Sequence, residues 1–245
     1  METLFISDLH LSSERPDKLA LFKALLQGPA RQANALYILG DLFEAWAGDD
    51  DDTPPHPEII SELAAYTQSG AHFYIMRGNR DYLLGKRFAQ ETGGEFINDP
   101  NIIELNGKRI LLMHGDTLCT GDVSYQIYRR IVNNPVSICL FKMVPFSLRK
   151  KIWHDLHKLA HKTTQYKSPY ITDVHQATVE RTMSRHNVFD LIHGHTHKQA
   201  THEFALNGQA ATRMVLGDWY DSDCVLVADN DGLQMMRIQD YLNTH

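Results

Sequence analysis

Short apolar runs alternate with helically spaced apolar residues along the first third of the chain. Leu4–Ile6, Leu36–Leu39 and Ala71–Met76 have the apolar character of buried strands. Between them, Leu19–Ala33 and Glu58–Gln68 carry apolar residues at helical spacing. This alternation predicts a largely parallel sheet covered by helices.

Hairpin patterns mark the strands that follow. Asn106-Gly107 lies between two strand-like runs in residues 102–112, and the same dipeptide recurs at Asn207-Gly208. Asn-Gly between strand-like runs is the strongest short hairpin signal. Further short strands are predicted at Val188–Ile192, Arg213–Leu216, Cys224–Val227 and Leu233–Ile238. The expected fold is an α/β (α+β) sandwich with a core of two sheets flanked by helices.

Residues 122–168 have no strand pattern and are predicted to form a helical insertion cap, between core segments 1–121 and 169–245. From Arg129 to Lys167 the chain carries nine Lys and Arg residues and one Asp, a net charge of +8. The 245-residue chain has a net charge of −6, so the remaining residues carry −14. The acidic balance argues against a nucleic-acid-binding protein, which is normally basic.

The cysteines and the first residues bear on the compartment. Three cysteines without CxxC spacing do not make a disulfide framework and favour a reducing compartment. The N-terminal sequence lacks the basic start and long apolar run of a signal peptide. No stretch approaches the ~18 apolar residues of a spanning helix. We therefore expect a cytosolic protein, or one attached to a membrane from its cytosolic side.

Polar motifs follow five of the predicted strands. They are Asp8-Leu9-His10, Gly40-Asp41, Gly78-Asn79-Arg80-Asp81, His114-Gly115-Asp116 and His193-Gly194-His195-Thr196-His197. Side chains two residues apart on an extended chain point to the same side, so the first and last motifs are each expected to aim two ligands into one space. A single Asp-x-His or His-x-His is more often an ordinary surface or core feature than a metal site, and a strand-end Gly-Asp is also common in turns. All five in this order predict a metal centre at the carboxyl ends of the strands.

The number of candidate ligands exceeds what one tetrahedral ion needs. They are Asp8, His10, Asp41, Asn79, His114, His195 and His197. Carboxylate, imidazole and amide groups together suit Mn, Fe or Zn. If Asp41 bridges two ions, then Asp8, His10 and His197 complete one set and Asn79, His114 and His195 complete the other. Two-metal centres are used for displacement at phosphorus.

The order of the motifs resembles the calcineurin-like metallophosphoesterases, whose pattern is Asp-x-His, Gly-Asp, Gly-Asn-His, His and Gly-His-x-His. The resemblance covers the whole α/β body. One position departs, because Arg80 stands where most of the family has a His that protonates the leaving group or stabilises charge. Arg does not lose its proton, but it can hold charge on a phosphoryl oxygen. This favours a leaving group that needs little protonation, such as the phosphate of an anhydride.

Three further features make the resemblance more specific. They are the Gly-Asn-Arg-Asp variant, the sequences of the two segments Gly40–Trp46 and His114–Thr120, and the size of the insertion. They are similar to a branch of the family that acts on UDP-2,3-diacylglucosamine in lipid A biosynthesis of Gram-negative bacteria. The resemblance implies two Mn²⁺ ions per chain and water attack on the α-phosphorus, giving UMP and 2,3-diacylglucosamine 1-phosphate (lipid X). It implies catalytic roles for Asp41, Asn79, Arg80 and His114, and substrate contacts at Asn79, Arg80, Asp122, Thr164, Lys167 and His195. At Ala160, where the branch often has a polar residue, no side-chain hydrogen bond is available.

The insertion suits such a substrate. Phe141, Met143, Val144 and Phe146 are expected to form an adaptable acyl-binding wall, and Arg149-Lys150-Lys151 to face an anionic membrane surface. That would make the chain a peripheral protein on the cytoplasmic side of the inner membrane. An ordinary helical cap with a solvated basic face is the alternative.

Several alternatives remain open from the sequence. The chain could be a soluble dimetal phosphodiesterase or phosphatase of the same family, or a non-catalytic scaffold of that fold; no protein partner is implied. His154, His157 and His161 are expected to form a solvated helix face rather than a third metal site, and Asp49–Asp52 a solvated loop. Trp46 and Trp219 fit either the core or a cleft.

Overall fold

The computed structural model describes residues 2–165, 171 and 173–244, without the side chains of residue 157 and residues 159–165. Eleven strands lie in the described part of the chain. They are β1 (Thr3–Ile6), β2 (Ala35–Leu39), β3 (Phe73–Met76), β4 (Glu95–Phe96), β5 (Asn101–Leu105), β6 (Lys108–Met113), β7 (Asp190–His193), β8 (Ala200–Leu206), β9 (Gln209–Val215), β10 (Cys224–Ala228) and β11 (Leu233–Arg237).

The strands form two mixed sheets. The first has the order β11-β10-β1-β2-β3-β4 and the second has the order β5-β6-β7-β9-β8. The strands β1, β2, β3 and β4 are parallel neighbours, as are β6, β7 and β9. The remaining pairs are antiparallel. The predicted two-sheet α/β fold is therefore confirmed.

The described helices flank the sheets. They are α1 (Pro16–Gln27), α2 (His56–Gln68), α3 (Lys86–Thr92), α4 (Val123–Val132), α5 (Pro135–Lys142), α6 (Phe146–Gln165), α7 (Gln176–His186) and α8 (Ile238–Thr244). The prediction of one helix from Leu19 to Ala33 is wrong at its end. A short 3-10 helix, Pro29–Gln32, follows α1 instead, because Pro29 lacks the backbone N–H and disfavours helical geometry at the residue before it.

Three apolar clusters hold these layers together. The central one joins the inner faces of the two sheets, with residues such as Phe5, Leu112 and Leu226 fully buried. A second cluster packs the first sheet against α1, α2 and α8, and a third packs the second sheet against α7. Trp46 and Trp219 both lie in the second cluster, so they are core residues.

Both predicted Asn-Gly hairpins form. Asn106 and Gly107 have φ values of +51° and +73°, and Asn207 and Gly208 have values of +51° and +81°. Two successive left-handed residues are what a type I′ turn requires, and Asn and Gly adopt that region at least cost. The β5–β6 and β8–β9 pairs are thereby set in register.

The predicted insertion contains α4, α5 and α6, which leave the body after the loop that ends at Asp122. Asp122 caps α4 by accepting a hydrogen bond from Tyr125 N at 3.0 Å. Ile138 and Phe141 pack against the apolar cluster of the first sheet, so part of the insertion contacts the body. In the described residues, no helix is both long enough and apolar enough to cross a membrane.

Two expectations for the charged segments are wrong. Arg149 does not face outward with Lys150 and Lys151: it is buried, donates to Ala47 O at 2.6 Å and pairs with Asp50. Asp49–Asp52 is not simply a solvated loop, since Asp51 is buried and accepts from Ala47 N at 3.1 Å and Thr53 N at 3.2 Å. A buried guanidinium needs charged and carbonyl partners, and this loop supplies them.

Candidate metal centre

The loops after β1, β2, β6 and β7 bring candidate ligands together at one edge of the two sheets. Asp8, His10 and His197 form one group in which all ligand atoms lie within 4.8 Å of one another. Asp8, Asp41 and His114 form a second such group. Asp8 belongs to both, so the two groups are contiguous.

Asp41 lies between imidazoles of the two groups. Its Oδ2 is 3.9 Å from His10 Nε2 and 3.8 Å from His114 Nε2. Asp8 Oδ1 is 3.4 Å from His197 Nε2. This is the placement that the predicted bridging role of Asp41 requires, although the role itself stays a prediction.

The remaining predicted ligands border the second group. Asn79 Oδ1 lies 3.0 Å from His114 Nε2. The ring of His195 lies edge-on to that of His114 at 5.1 Å between centroids, and His195 N donates to Asp8 Oδ2 at 2.8 Å. All seven predicted ligands are therefore connected through direct contacts.

The backbone at these ligands differs from the sequence expectation. Asp8, His10, Asp41, His195 and His197 have φ values between +48° and +70°, in the left-handed region. The same-side argument for an extended chain therefore does not explain how each pair converges. Left-handed turns just beyond the strand ends aim the side chains instead. Such conformations cost free energy for residues other than Gly, and they cluster at functional sites.

Two glycines allow the loops to approach each other. A Cβ atom on Gly78 would collide with the carboxylate of Asp41, and one on Gly194 would collide with Ser7 Oγ and Asp8 Oδ2. The glycines predicted to permit tight turns therefore also permit close packing of backbone against candidate ligands.

Each of three candidate histidine ligands has an acceptor behind its ring. His10 Nδ1 is 3.0 Å from Glu44 Oε2, His197 Nδ1 is 2.9 Å from Asp218 Oδ2, and His114 Nδ1 lies 2.9 Å from Leu39 O. An acceptor at Nδ1 favours the tautomer that leaves the Nε2 lone pair free for an ion. In all three rings it is Nε2 that faces the other candidate ligands.

Burial and neighbouring charges shift the pKa values of the candidate histidine ligands in different directions. Burial alone would lower the pKa of His114, but the charges of Asp41, Asp8 and Asp116, together with the hydrogen bond to Leu39 O, outweigh burial and raise it to about 9. Burial is likewise outweighed at His197, whose contacts with Asp218 and Asp8 raise its pKa to about 10. For His195, burial together with the charge on His114 lowers the pKa to about 4.

The residues present fit a bound cation. The Nε2 atoms of His10 and His197 face each other at 3.3 Å. Two lone pairs at that distance repel unless a proton or a cation lies between them. The buried Oδ1 atom of Asp8, beside both rings, accepts no well-aligned hydrogen bond from the described residues. A positive ion satisfies these groups together.

The predicted substrate contacts fall in different places. Arg80 is half-buried, its N–H donates to Asp41 Oδ1 at 2.8 Å, and its guanidinium is 3.6 Å from Glu44. Asp122 is the N-cap of α4. Thr164 and Ala160 both lie in α6, but the described side chains do not include theirs. Lys167 lies outside the described residues.

Sequence reasoning missed several residues that support the site. Asp81 is fully buried and accepts from Leu42 N at 2.7 Å and Gly78 N at 2.8 Å. Burial, with the charge on Asp41, raises the pKa of Asp81 to about 6. Its place within Gly-Asn-Arg-Asp was visible, but its contacts with the neighbouring loop were not. No motif or spacing in the sequence marks Glu44 or Asp218 as part of the site.

Tyr125 is a further missed residue, on α4. Its ring stacks on His195 with 5.9 Å between centroids, and its hydroxyl donates to Asp116 Oδ2 at 3.1 Å. Asp116 also pairs with Arg129. The first helix of the insertion therefore contacts the candidate metal centre directly.

A cleft of about 850 Å³ lies between the body and α6. Glu44 and Tyr220 are in its wall, and the ring of Tyr220 is 5.8 Å from that of His10. Lys150 and Trp153 line the α6 side. The cleft therefore borders the candidate metal centre on the side of His10.

Comparison with known proteins decides the family. The sequence profile of the calcineurin-like phosphoesterases matches residues 1–199, which include all seven candidate ligands. This chain belongs to the calcineurin-like phosphoesterase family. The prediction of a hydrolase with the metallophosphoesterase fold is thereby confirmed.

Relatives of this phosphoesterase carry a narrower name. The chain is 47% identical to a UDP-2,3-diacylglucosamine hydrolase of Pseudomonas entomophila, over 95% of this chain and 97% of the relative. It is 46% identical to a protein of that name from Serratia proteamaculans, over 97% and 99% of the two chains. A third, from Escherichia coli O6:H1, is 45% identical over 96% and 98%. The similarity covers nearly the whole chain, so it includes the insertion and also residues after 199, where the family profile ends.

Proposed function

We propose that this phosphoesterase hydrolyses the pyrophosphate bond of UDP-2,3-diacylglucosamine, giving UMP and 2,3-diacylglucosamine 1-phosphate. The observation that carries the proposal is the near full-length similarity to hydrolases named for this substrate. Because the match includes the insertion, it covers the segment expected to set the substrate as well as the family's common body.

The candidate ligands would hold two divalent ions, and we propose Mn²⁺. Asp8, His10 and His197 would hold one ion, Asn79, His114 and His195 the other, and Asp41 would bridge them. Such ions make water a stronger nucleophile and neutralise charge that develops at phosphorus. Glu44, Asp218 and Leu39 O keep the rings oriented through their Nδ1 atoms.

Arg80 is proposed to stabilise charge on the phosphoryl oxygens during water attack on the α-phosphorus. Its backbone is fixed to Asp41, while its guanidinium remains partly exposed. Arg keeps its proton at neutral pH, so it supplies charge and hydrogen bonds rather than a proton. The leaving group, a phosphate monoester, needs no strong acid.

The substrate contacts proposed at Asp122, Thr164, Lys167 and His195 would hold the lipid phosphate and sugar beside Asn79 and Arg80. Tyr125 joins this set because it stacks on His195. The cleft beside Glu44 and Tyr220 gives room for a substrate much larger than a phosphate monoester.

The exposed apolar residues support a role of the insertion in lipid handling. Of the eleven large apolar side chains that are exposed among the described residues, nine lie within residues 123–156. Val123, Ile127 and Ile131 lie on one face of α4, and Val136 and Leu140 on one face of α5. We propose that residues 122–168 act as the acyl-binding cap and contact the cytoplasmic face of the inner membrane, where anionic lipids would attract the nearby Lys and Arg residues.

Two measurements test the substrate assignment. The first compares kcat/KM for UDP-2,3-diacylglucosamine and for bis(p-nitrophenyl) phosphate in the same detergent micelles. Equal values would favour a general phosphodiesterase. The second uses ¹⁸O-labelled water, whose label should appear in UMP and not in the lipid phosphate if water attacks the α-phosphorus.

Flotation with vesicles tests the membrane contact separately. The wild type should float with vesicles containing anionic lipid and less so at high salt, and Val136→Ser with Leu140→Ser should weaken this binding. A wild type that stays at the bottom of the gradient at low salt would contradict the contact.

A further inference from the structure

Glu44 lies between a candidate metal ligand and the guanidinium of Arg80. Its Oε2 is 3.0 Å from His10 Nδ1, and its Oε1 is 3.6 Å from Arg80 Nη1. The N–H of Glu44 donates to Leu11 O at 3.3 Å, which joins the loop after β2 to the loop after β1. One carboxylate therefore contacts two functional side chains from two different loops.

The His10 contact bears on the metal. His10 is buried, and its Nε2 faces Asp8, Asp41 and His197. An imidazole that ligates through Nε2 carries its proton on Nδ1, where a carboxylate fixes both the tautomer and the ring orientation. The Glu44 carboxylate lies 3.0 Å from Nδ1 without forming a well-aligned hydrogen bond to it. We therefore expect Glu44 to act on the ring and its Nδ1 proton mainly through its negative charge.

The Arg80 contact bears on the reaction. The Arg80 backbone is already fixed by its hydrogen bond to Asp41 Oδ1 at 2.8 Å. The long side chain beyond it has many rotamers, and a carboxylate at one edge of the guanidinium limits them. Because both side chains are about a quarter exposed, the pair adds little stability and acts mainly on orientation.

We propose that Glu44 is a positioning residue that couples the metal centre to Arg80: one oxygen orients His10 for ion binding and the other orients the Arg80 guanidinium. The Arg80 half of this inference rests on the proposed function. The His10 half concerns ion binding alone.

Asp218 provides a matched control. Its Oδ2 is 2.9 Å from His197 Nδ1, a distance close to the 3.0 Å between Glu44 and His10 Nδ1. Its other side-chain hydrogen bonds among the described residues are within its own turn, where its Oδ1 accepts from Tyr220 N at 3.2 Å and Asp221 N at 3.1 Å. Asp218→Asn should therefore weaken ion binding without a specific effect on Arg80.

The first experiment measures Mn²⁺ binding to chelator-treated protein by calorimetry, with no substrate present. Glu44→Gln and Asp218→Asn should each weaken binding about 10–100-fold. Unchanged affinity in Glu44→Gln would overturn the His10 half, whatever the true substrate is. Circular dichroism checks that both variants fold; if Glu44→Gln does not, Glu44→Asp, which keeps the charge but shortens the reach, takes its place with the same expectation.

The second experiment is a double-mutant cycle on kcat at saturating Mn²⁺. Glu44→Gln and Arg80→Lys should be non-additive, because each disturbs the same guanidinium, whereas Asp218→Asn and Arg80→Lys should be additive. Additivity in both pairs would overturn the Arg80 half. If the lipid nucleotide is not turned over, bis(p-nitrophenyl) phosphate serves in the cycle, so failure of the proposed substrate is distinguished from failure of the coupling.

Discussion

His10 and His197, which are 187 residues apart in the sequence, face each other through Nε2 atoms that are 3.3 Å apart. Behind each ring a carboxylate lies at Nδ1, Glu44 for His10 and Asp218 for His197. Both rings therefore present the same atom to one small space that Asp8 also borders. Together the three side chains form a group of donors that would accept a cation.

A divalent ion should therefore stabilise the fold. At a free Mn²⁺ concentration of about 100 times Kd, the free energy of unfolding should rise by about 2.7 kcal/mol. For a chain of this size, that corresponds to a rise of about 5–10 °C in Tm. Scanning calorimetry of chelator-treated protein with and without Mn²⁺ measures it.

Variants sharpen this measurement. Asp8→Asn should lose most of the shift, because Asp8 belongs to both candidate ligand groups. His72→Ala, at an exposed histidine, should keep it. An equal shift in Asp8→Asn and the wild type would contradict the assignment of Asp8.

Replacing Arg80 by His should add a pH dependence to kcat that the wild type lacks. In Arg80→His the group at this position loses its charge as pH rises past about 6.5, the ordinary pKa of His. Since the charge is what stabilises the phosphoryl oxygens, kcat of this variant should fall relative to wild type from pH 6 to pH 8. The ratio of the two pH–rate profiles is the measurement, and a constant ratio would argue against a role for the charge of Arg80.

Asp51 should contribute stability that depends on pH. Burial alone would raise its pKa, but hydrogen bonds from His56 and Thr53 outweigh burial and lower it to about 2, against 3.8 for an unperturbed Asp. Because the folded pKa is the lower one, the contribution is fully present above about pH 4 and is lost as pH falls towards 2.

Asp51→Asn should therefore lower the free energy of unfolding by about 1–3 kcal/mol at pH 7, and by less at pH 3. Urea unfolding at the two pH values measures the difference. The exposed neighbour provides the control, since Asp52→Asn should change stability little at either pH. A loss of stability in Asp51→Asn that does not change with pH would contradict the ionic contribution.

Arg149 should anchor the insertion to the body. Its Nη1 donates to Ala47 O at 2.6 Å, its Nε donates to Val144 O at 2.8 Å, and its guanidinium pairs with Asp50. Arg149→Met leaves two carbonyls and a carboxylate without this partner, at a cost of about 1–3 kcal/mol. Hydrogen exchange should become faster in α6 and at residues 47–51, whereas Lys158→Met, at an exposed position, should leave it unchanged. Equal exchange in both variants would show that the anchor lies elsewhere.

The parts of the fold that could be predicted from the sequence are those that neighbouring residues determine by themselves. The apolar runs that became β1, β2 and β3 and the two Asn-Gly turns needed only neighbouring residues. The end of α1 was missed because helical spacing continued past Pro29, while the lost N–H of that proline ended the helix.

The candidate site was predictable as a set of residues but not as a geometry. The five motifs named all seven candidate ligands, yet the left-handed backbone at Asp8 and His195 had no sequence signal, because such backbone is uncommon for residues other than Gly and no local pattern marks these positions. Glu44 and Asp218 were missed since only the folded chain brings them to the rings of His10 and His197. The burial of Arg149 was missed because its partners lie about 100 residues earlier.

The measurement that tests the central claim most directly is turnover of UDP-2,3-diacylglucosamine by chelator-treated protein as Mn²⁺ is added back. Wild-type protein should be inactive after chelation and recover with added ion, releasing UMP. Asp41→Ala and His114→Ala should stay inactive at every Mn²⁺ concentration while keeping the circular dichroism of the folded chain. Turnover that survives chelation, or wild-type rates in either variant, would contradict the account.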